Sequence, residues 1–312
     1  MAPRPWRVAR SQHAEQAAPN VWQVEKARDH DSYSNGLRVE NRYVVDNSPR
    51  LYAVFERGRP DLDRVEWRTQ PAGIVYHATE SDLAPLEPDQ SQRQLRYDEA
   101  LLEYVRRRHS YHFVIDRFGR VYRVVAENDI AFHAGHSIWE DGQWLYLNLN
   151  AAFLGVAFES RTENGQERPL EGPQIQAGRM LTDMLRSRYR LPAASCVTHA
   201  QVSVNPRSMV IAYHTDWASN FPFAAMGLAD NYELPVAGVA FFGFSYDPAL
   251  VRASGGREWP GLTIAKETIE QEAAGQGLFT TQYVRLLRNR YRQKTAVLKR
   301  RGAAFEESEE NQ

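Results

Sequence analysis

His77, His199 and Asp216 can together make a three-ligand zinc site. His77 ends the apolar run Gly73-Ile74-Val75-Tyr76-His77, His199 ends Cys196-Val197-Thr198-His199, and Asp216 follows in His214-Thr215-Asp216-Trp217. Two imidazoles and one carboxylate fill three of zinc's four positions and leave one for water, as in a catalytic rather than a structural zinc. Water on such an ion ionises near pH ~7, so the site would make hydroxide where free water cannot. The chemistry expected of these residues is metal-assisted hydrolysis.

The elements that must position them are legible as short patterns. Residues 74–77 and 197–199 read as buried strands, and 153–159 as another. Residues 97–108 read as a helix with Leu101, Leu102 and Val105 on one face. Residues 174–189 read as a second helix, striped by Ile175, Met180, Leu181, Met184 and Leu185. Two β-rich runs around turn residues predict a hairpin at 112–125 and another at 42–55. Strands and helices mixed along one chain indicate α/β, a central mixed β-sheet flanked by helices.

At 312 residues the chain can bury a substantial core. Its 43% hydrophobic and 25% charged content are those of an ordinary globular protein. The net charge of -1 gives no global field toward nucleic acid or anionic membranes, so no nucleic-acid partner is expected. A single cysteine, Cys196, excludes an internal disulfide and Cys-rich zinc modules. No apolar run approaches the ~20 residues of a membrane helix. The first residues carry charge without a following apolar core, so as written they are not a secretory signal. The expectation is a cytoplasmic protein, or a cell-envelope or secreted one if a signal has been removed.

Residues 1–36 are polar and aperiodic and read as an N-terminal arm, 37–225 as the hydrolase domain, and 226–312 as a C-terminal extension. Within the extension, 236–265 is rich in Gly, Pro and aromatics and reads as irregular. Residues 281–301 read as a basic helix with eight Lys or Arg and no acid, and the acidic tail Glu306-Glu307-Ser308-Glu309-Glu310 follows. That helix offers a surface for a partner, or simply a solvated face.

Four elements occur in order. They are the strand ending at His77; Ser110-Tyr111-His112-Phe113-Val114-Ile115-Asp116-Arg117-Phe118-Gly119-Arg120; Ala131-Phe132-His133-Ala134-Gly135 followed by Leu154-Gly155-Val156-Ala157-Phe158; and Thr198-His199 with His214-Thr215-Asp216. In this order they resemble the zinc-dependent N-acetylmuramoyl-L-alanine amidases of the amidase-2 and peptidoglycan-recognition superfamily, over roughly residues 70–225. The resemblance implies an amidase-2-like fold, a zinc ion, and cleavage of the muramic acid–L-alanine amide in peptidoglycan or muropeptides. It assigns His77 and His199 to the metal. His214-Thr215-Asp216 resembles the family's Lys–small–Asp triplet, which gives Asp216 to zinc and His214 to the scissile carbonyl, with His214 as the rival third ligand.

Tyr111 matches a tyrosine lining the site in phage-type amidases. Family members with a catalytic glutamate carry it just after Gly-Ile; here Ala157 follows Gly155-Val156, and Glu159 lies two residues on, on the same strand face. General acid–base work is therefore expected of Glu159, Tyr111 or His214. His133 and Trp217 are expected to contact substrate. A non-catalytic peptidoglycan-binding module and a zinc amidase or peptidase acting on another amide are the competing readings.

Overall fold

The structure, a computed structural model, describes residues 19–58, 64–163 and 165–302. Strands β1 (Gln23–Lys26), β2 (His30–Tyr33), β3 (Arg38–Glu40), β4 (Tyr52–Glu56), β5 (Glu66–Arg68) and β6 (Gly73–Ala78) come first. Helix α1 (Ser91–Arg108) precedes β7 (Phe113–Ile115), β8 (Val121–Arg123), β9 (Ile138–Glu140) and β10 (Trp144–Leu147). The one-turn α2 (Leu149–Ala152) leads into β11 (Phe153–Phe158), the ribbon β12 (Thr162–Glu163) and β13 (Gln166–Glu167), and helix α3 (Gly172–Tyr189). Strand β14 (Cys196–Thr198) runs directly into α4 (His199–Val202), followed by β15 (Val204–Asn205) and β16 (Val210–Ile211). Helices α5 (Ala237–Phe242), α6 (Pro248–Ala253), α7 (Pro260–Gly275) and α8 (Thr280–Arg300) complete the described chain.

The central sheet is mixed, in the order β1-β2-β3-β8-β7-β11-β6-β14. Its functional half, β7-β11-β6-β14, is parallel. Such strands are covered on both faces and read as continuous apolar runs. Ile74 and Tyr76 of β6 and Leu154, Val156 and Phe158 of β11 pack with Ala177, Leu181, Met184 and Leu185 of α3. Val75, Phe153 and Val197 face the other way, into a cluster with Tyr52, Val54 and Tyr146 of the second sheet, β5-β4-β10-β9. Helix α1 covers the rest of that face through Leu102 and Val105 against Val114 and Tyr122. Each fully buried side chain of this kind is worth ~1.5–3 kcal/mol, so packing rather than helix propensity holds α1 and α3 in place.

Three sequence expectations change. Residues 42–55 do not form a hairpin: β4 pairs with β5 and β10, and Val45 makes only an isolated bridge to Val125. The buried Arg50 guanidinium donates to the carbonyls of Glu127, Asp129, Ala151 and Phe153, which draws this loop across to the 127–130 segment instead of back on itself. Residues 23–33, expected within an arm, form β1 and β2 at the sheet edge; residues 1–18 lie outside the described residues. Residues 236–265, expected to be irregular, contain α5, α6 and the start of α7. Two of these helices have only six residues each, too short to show a helical period, and α5 is buried on nearly every side.

The basic helix is present as α8, while the acidic tail lies outside the described residues. One side of α8 is not solvated. Tyr283, Leu287 and Tyr291 pack with Phe242 and Ile269, and also with Phe55, Ile138, Leu145 and Ala200 of the preceding α/β segment. Lys294 is buried over the Phe55 ring, its Nζ 4.0 Å from the centroid.

Beyond β11 the chain enters a buried polar network. Glu159 Oε1 accepts from Gln94 Nε2 at 2.7 Å, and Oε2 accepts from the Arg117 amide at 3.0 Å. Gln94 also donates to Asp98 at 2.7 Å, and Arg120 bridges Asp98 and Asp116. Burial, and then the nearby Asp98, raise the Glu159 carboxyl well above the usual carboxylate range.

Two predictions follow from this packing. Leu287→Ala should cost about 2–5 kcal/mol. Chemical denaturation should show that loss in a single transition shared by the sheet and the C-terminal helices. Glu159 has a folded pKa above its unfolded value of about 4.3, so its contribution is complete below that pH and is lost as pH rises toward the folded value. The permanently neutral Glu159→Gln should therefore gain stability relative to the parent between about pH 5 and about pH 8. Thermal melts at the two pH values check this, and a pH-independent gap would show Glu159 to be ionised in the fold.

Candidate metal centre and active site

Parallel register brings the first two candidate ligands to one level. Ala157 of β11 lies beside His77 of β6, and Thr198 of β14 lies beside Tyr76. His199, one residue past the end of β14, therefore comes abreast of His77. It is also the first residue of α4, whose start is set by a capping box in which Gln201 Oε1 accepts from the Thr198 amide at 2.9 Å. Asp216 arrives from the following loop. Its carbonyl accepts from the Ala200 amide at 3.2 Å. Trp217 then takes a left-handed φ of 56°, uncommon for a bulky residue, and its amide is held by Glu167 Oε1 at 2.7 Å.

The three side chains converge. His77 Nδ1 lies 3.2 Å from Asp216 Oδ2, and His199 Nδ1 lies 2.8 Å from Asp216 Oδ1. One ligand atom from each residue lies within 4.8 Å of the others. Ligand bonds of ~2.0–2.1 Å in a tetrahedron put neighbouring ligand atoms about 3.3 Å apart, so the donor set and its spacing fit a zinc ion. Burial alone would raise the Asp216 carboxyl, but the two imidazoles, His199 foremost, hold it well below the usual range. Burial and the neighbouring His199 push His77 down to about 4. His77 is thus neutral at pH 7, the state a metal requires.

His133 is not placed as a substrate contact. It is buried, with Nδ1 3.1 Å from His77 Nε2 and Nε2 3.3 Å from the Phe153 carbonyl. The reason is packing: Asn150 Oδ1 holds the amides of its loop, and its ring packs closely against the bare α-carbon of Gly155. Trp217 is likewise withdrawn from any substrate. It is fully buried against Phe158 and Phe221, because the turn that aims Asp216 at the histidines sends the next side chain into the core. Glu159 is on the expected face but does not reach the three ligands, since both carboxylate oxygens are engaged by Gln94 and Arg117. His112 is buried and structural, accepting from the Gly155 amide at 2.9 Å and meeting Arg50 at 2.8 Å.

Tyr111 and His214 do stand at the cluster. The Tyr111 ring lies 5.1 Å from that of His77, and burial raises its hydroxyl pKa. His214 stacks on His199 at 4.8 Å with 14° between the rings and is exposed to solvent. It is not among the converging donors, which leaves Asp216 as the third candidate ligand. Glu167 escaped the sequence reading. It is buried, and Oε2 has no partner among the described residues. Burial is the main cause that raises its carboxyl to about 7. The available signal was the Asn-Gly dipeptide at 164–165, a sequence pattern that predicts a hairpin in which Glu167 follows the turn.

Residues 67–217 match the family model described as N-acetylmuramoyl-L-alanine amidase. No curated protein matches the chain significantly. Several solved structures are similar at low identity. The N-acetylmuramyl-L-alanine amidase AmiD from E. coli, solved with anhydro-N-acetylmuramic acid-L-Ala-D-gamma-Glu-L-Lys, is 20% identical over 70% of this chain and 97% of its own, with a TM-score of 0.43. AmpDh3 from Pseudomonas aeruginosa, solved with anhydromuramic pentapeptide, is 20% identical over 58% and 71%, with a TM-score of 0.39. The amidase LysC from Clostridium intestinale is 20% identical over 59% and 93%, with a TM-score of 0.32. The matched stretch begins within β5 and ends one residue after Asp216, so the segment that is similar to the N-acetylmuramoyl-L-alanine amidase family spans all three converging donors.

Proposed function

We propose that this chain is a zinc-dependent amidase that cuts the bond between N-acetylmuramic acid and L-alanine in peptidoglycan or muropeptides. The convergence of His77, His199 and Asp216 inside the family-matched segment is the observation that supports this most. These three residues would hold the ion, and a bound zinc supplies Lewis acidity and an acidified water.

The remaining work falls to residues around them. His214 is exposed and stacked on a candidate ligand histidine, which supports giving it the scissile carbonyl. It donates to the carbonyl oxygen as negative charge builds there. Tyr111 keeps its proton at neutral pH and lines the wall beside His77. With Glu159 turned into its own network, His214 is also the group placed to pass a proton to the departing amine. The buried His77 and the half-buried Asp216 and Tyr111 limit the access of water, which strengthens each of these interactions.

A second reading, binding of peptidoglycan without hydrolysis, is favoured by one position: Ala157 stands beside His77 where family members with a catalytic glutamate carry that residue. Digestion of purified peptidoglycan followed by mass spectrometry separates the two. The zinc-loaded protein should release stem peptides with a free L-alanine amino group, and a chelator should stop the release. His77→Ala should lose zinc and activity together. His214→Ala should keep its zinc and lose about 100-fold in turnover, as expected for one oxyanion donor. Stoichiometric zinc with no peptide released by the parent would favour the binding module instead.

A further inference from the structure

We infer that His133 is a positioning residue that determines which nitrogen of His77 is offered to the metal, an inference that rests on the zinc reading above. The Phe153 carbonyl can only accept a hydrogen bond, so the His133 Nε2 facing it at 3.3 Å carries the proton. A neutral imidazole has one N–H, so His133 Nδ1 presents a lone pair. That lone pair faces His77 Nε2 at 3.1 Å, which makes Nε2 the protonated nitrogen of His77. His77 Nδ1 is left as a lone pair 3.2 Å from the Asp216 carboxylate. On their own, the lone pair and the carboxylate repel each other; around a cation they become two ligands of one ion. His199 has no comparable anchor, because its Nε2 is buried with no partner among the described residues.

The seat of His133 is built for this one orientation. Asn150 Oδ1 accepts from the amides of His133, Ala134 and Gly135, at 2.8, 2.6 and 3.3 Å. A Cβ at Gly155 would stand 2.6 Å from His133 Cγ, so the ring can lie there only because that strand position has no side chain. The same strand supplies the Phe153 carbonyl two residues earlier. A loop residue with a substrate role would not need its ring pinned at both nitrogens and on one face.

Imidazole nitrogen NMR of the metal-free parent protein tests this without reference to activity. His77 should appear as the Nε2–H tautomer. His133→Leu removes the acceptor, and should leave His77 a mixture of tautomers and weaken zinc binding about 10–100-fold in chelator competition. His133→Asn keeps an acceptor oxygen near the Nδ1 position, and should stay within about threefold of the parent. A parent His77 protonated at Nδ1 would overturn the inference. So would a folded His133→Leu that binds zinc as tightly as the parent. If His133→Leu does not fold, the tautomer of the parent still decides. If the parent binds no zinc at all, the amidase reading falls, while the tautomer spectrum continues to judge this inference separately.

Discussion

A carboxylate pressed between two buried imidazole nitrogens is the constraint on which the rest of this molecule turns. Asp216 lies within hydrogen-bonding distance of Nδ1 on both His77 and His199. Burying that negative charge is costly unless positive charge meets it. The His77 nitrogen that meets it is, by its other hydrogen bond, a bare lone pair. The arrangement makes electrostatic sense as a cradle for a divalent cation. The surrounding architecture can be understood as what is needed to keep three side chains from distant stretches at that spacing.

Each candidate ligand is held by a different device. His77 is fixed by strand register and by the ring behind it. His199 is fixed by a helix start at the end of an edge strand, where the chain must change direction anyway. Asp216 is fixed by backbone: a left-handed turn at Trp217, a buried carboxylate on its amide, and a large indole in the core. The C-terminal helices take part indirectly. Ala200, next to His199, belongs to the same apolar cluster as Leu287 and Tyr291 of α8. The packing of α8 therefore bears on the segment that presents a candidate ligand, although no residue of α8 is among the converging donors.

Much of the cradle was readable in the sequence, because its two candidate histidine ligands end short apolar runs whose strand character is local. The helices at 97–108 and 174–189 were readable for a similar reason, since both have one clear apolar face. What could not be read was set by long-range contacts. Arg50 looks like a loop cation, yet it organises four carbonyls and prevents a hairpin. His133 and Trp217 have the composition of a substrate wall, and only the tertiary fold shows one pinned behind a ligand and the other in the core. Glu159 obeys the strand period that suggested it, but two more residues along the chain carry it beyond the site and into the reach of α1. Helices α5 and α6 are too short to show periodicity, and the near-complete burial of α5 removes even an amphipathic hint there.

Gly73 shows how far from the chemistry such geometry is decided. Any Cβ there would sit 2.3 Å from the Phe153 ring and 2.4 Å from the Ser195 carbonyl. Three neighbouring strands thus close on one bare α-carbon at the start of β6, about 13 Å from His77 at ~3.3 Å per residue. Sliding one strand by a single residue would turn every side chain on it to the opposite face. The bare α-carbon thus works as an alignment pin: it sets the phase of the central strands, and hence whether two imidazoles on separate strands emerge shoulder to shoulder or back to back.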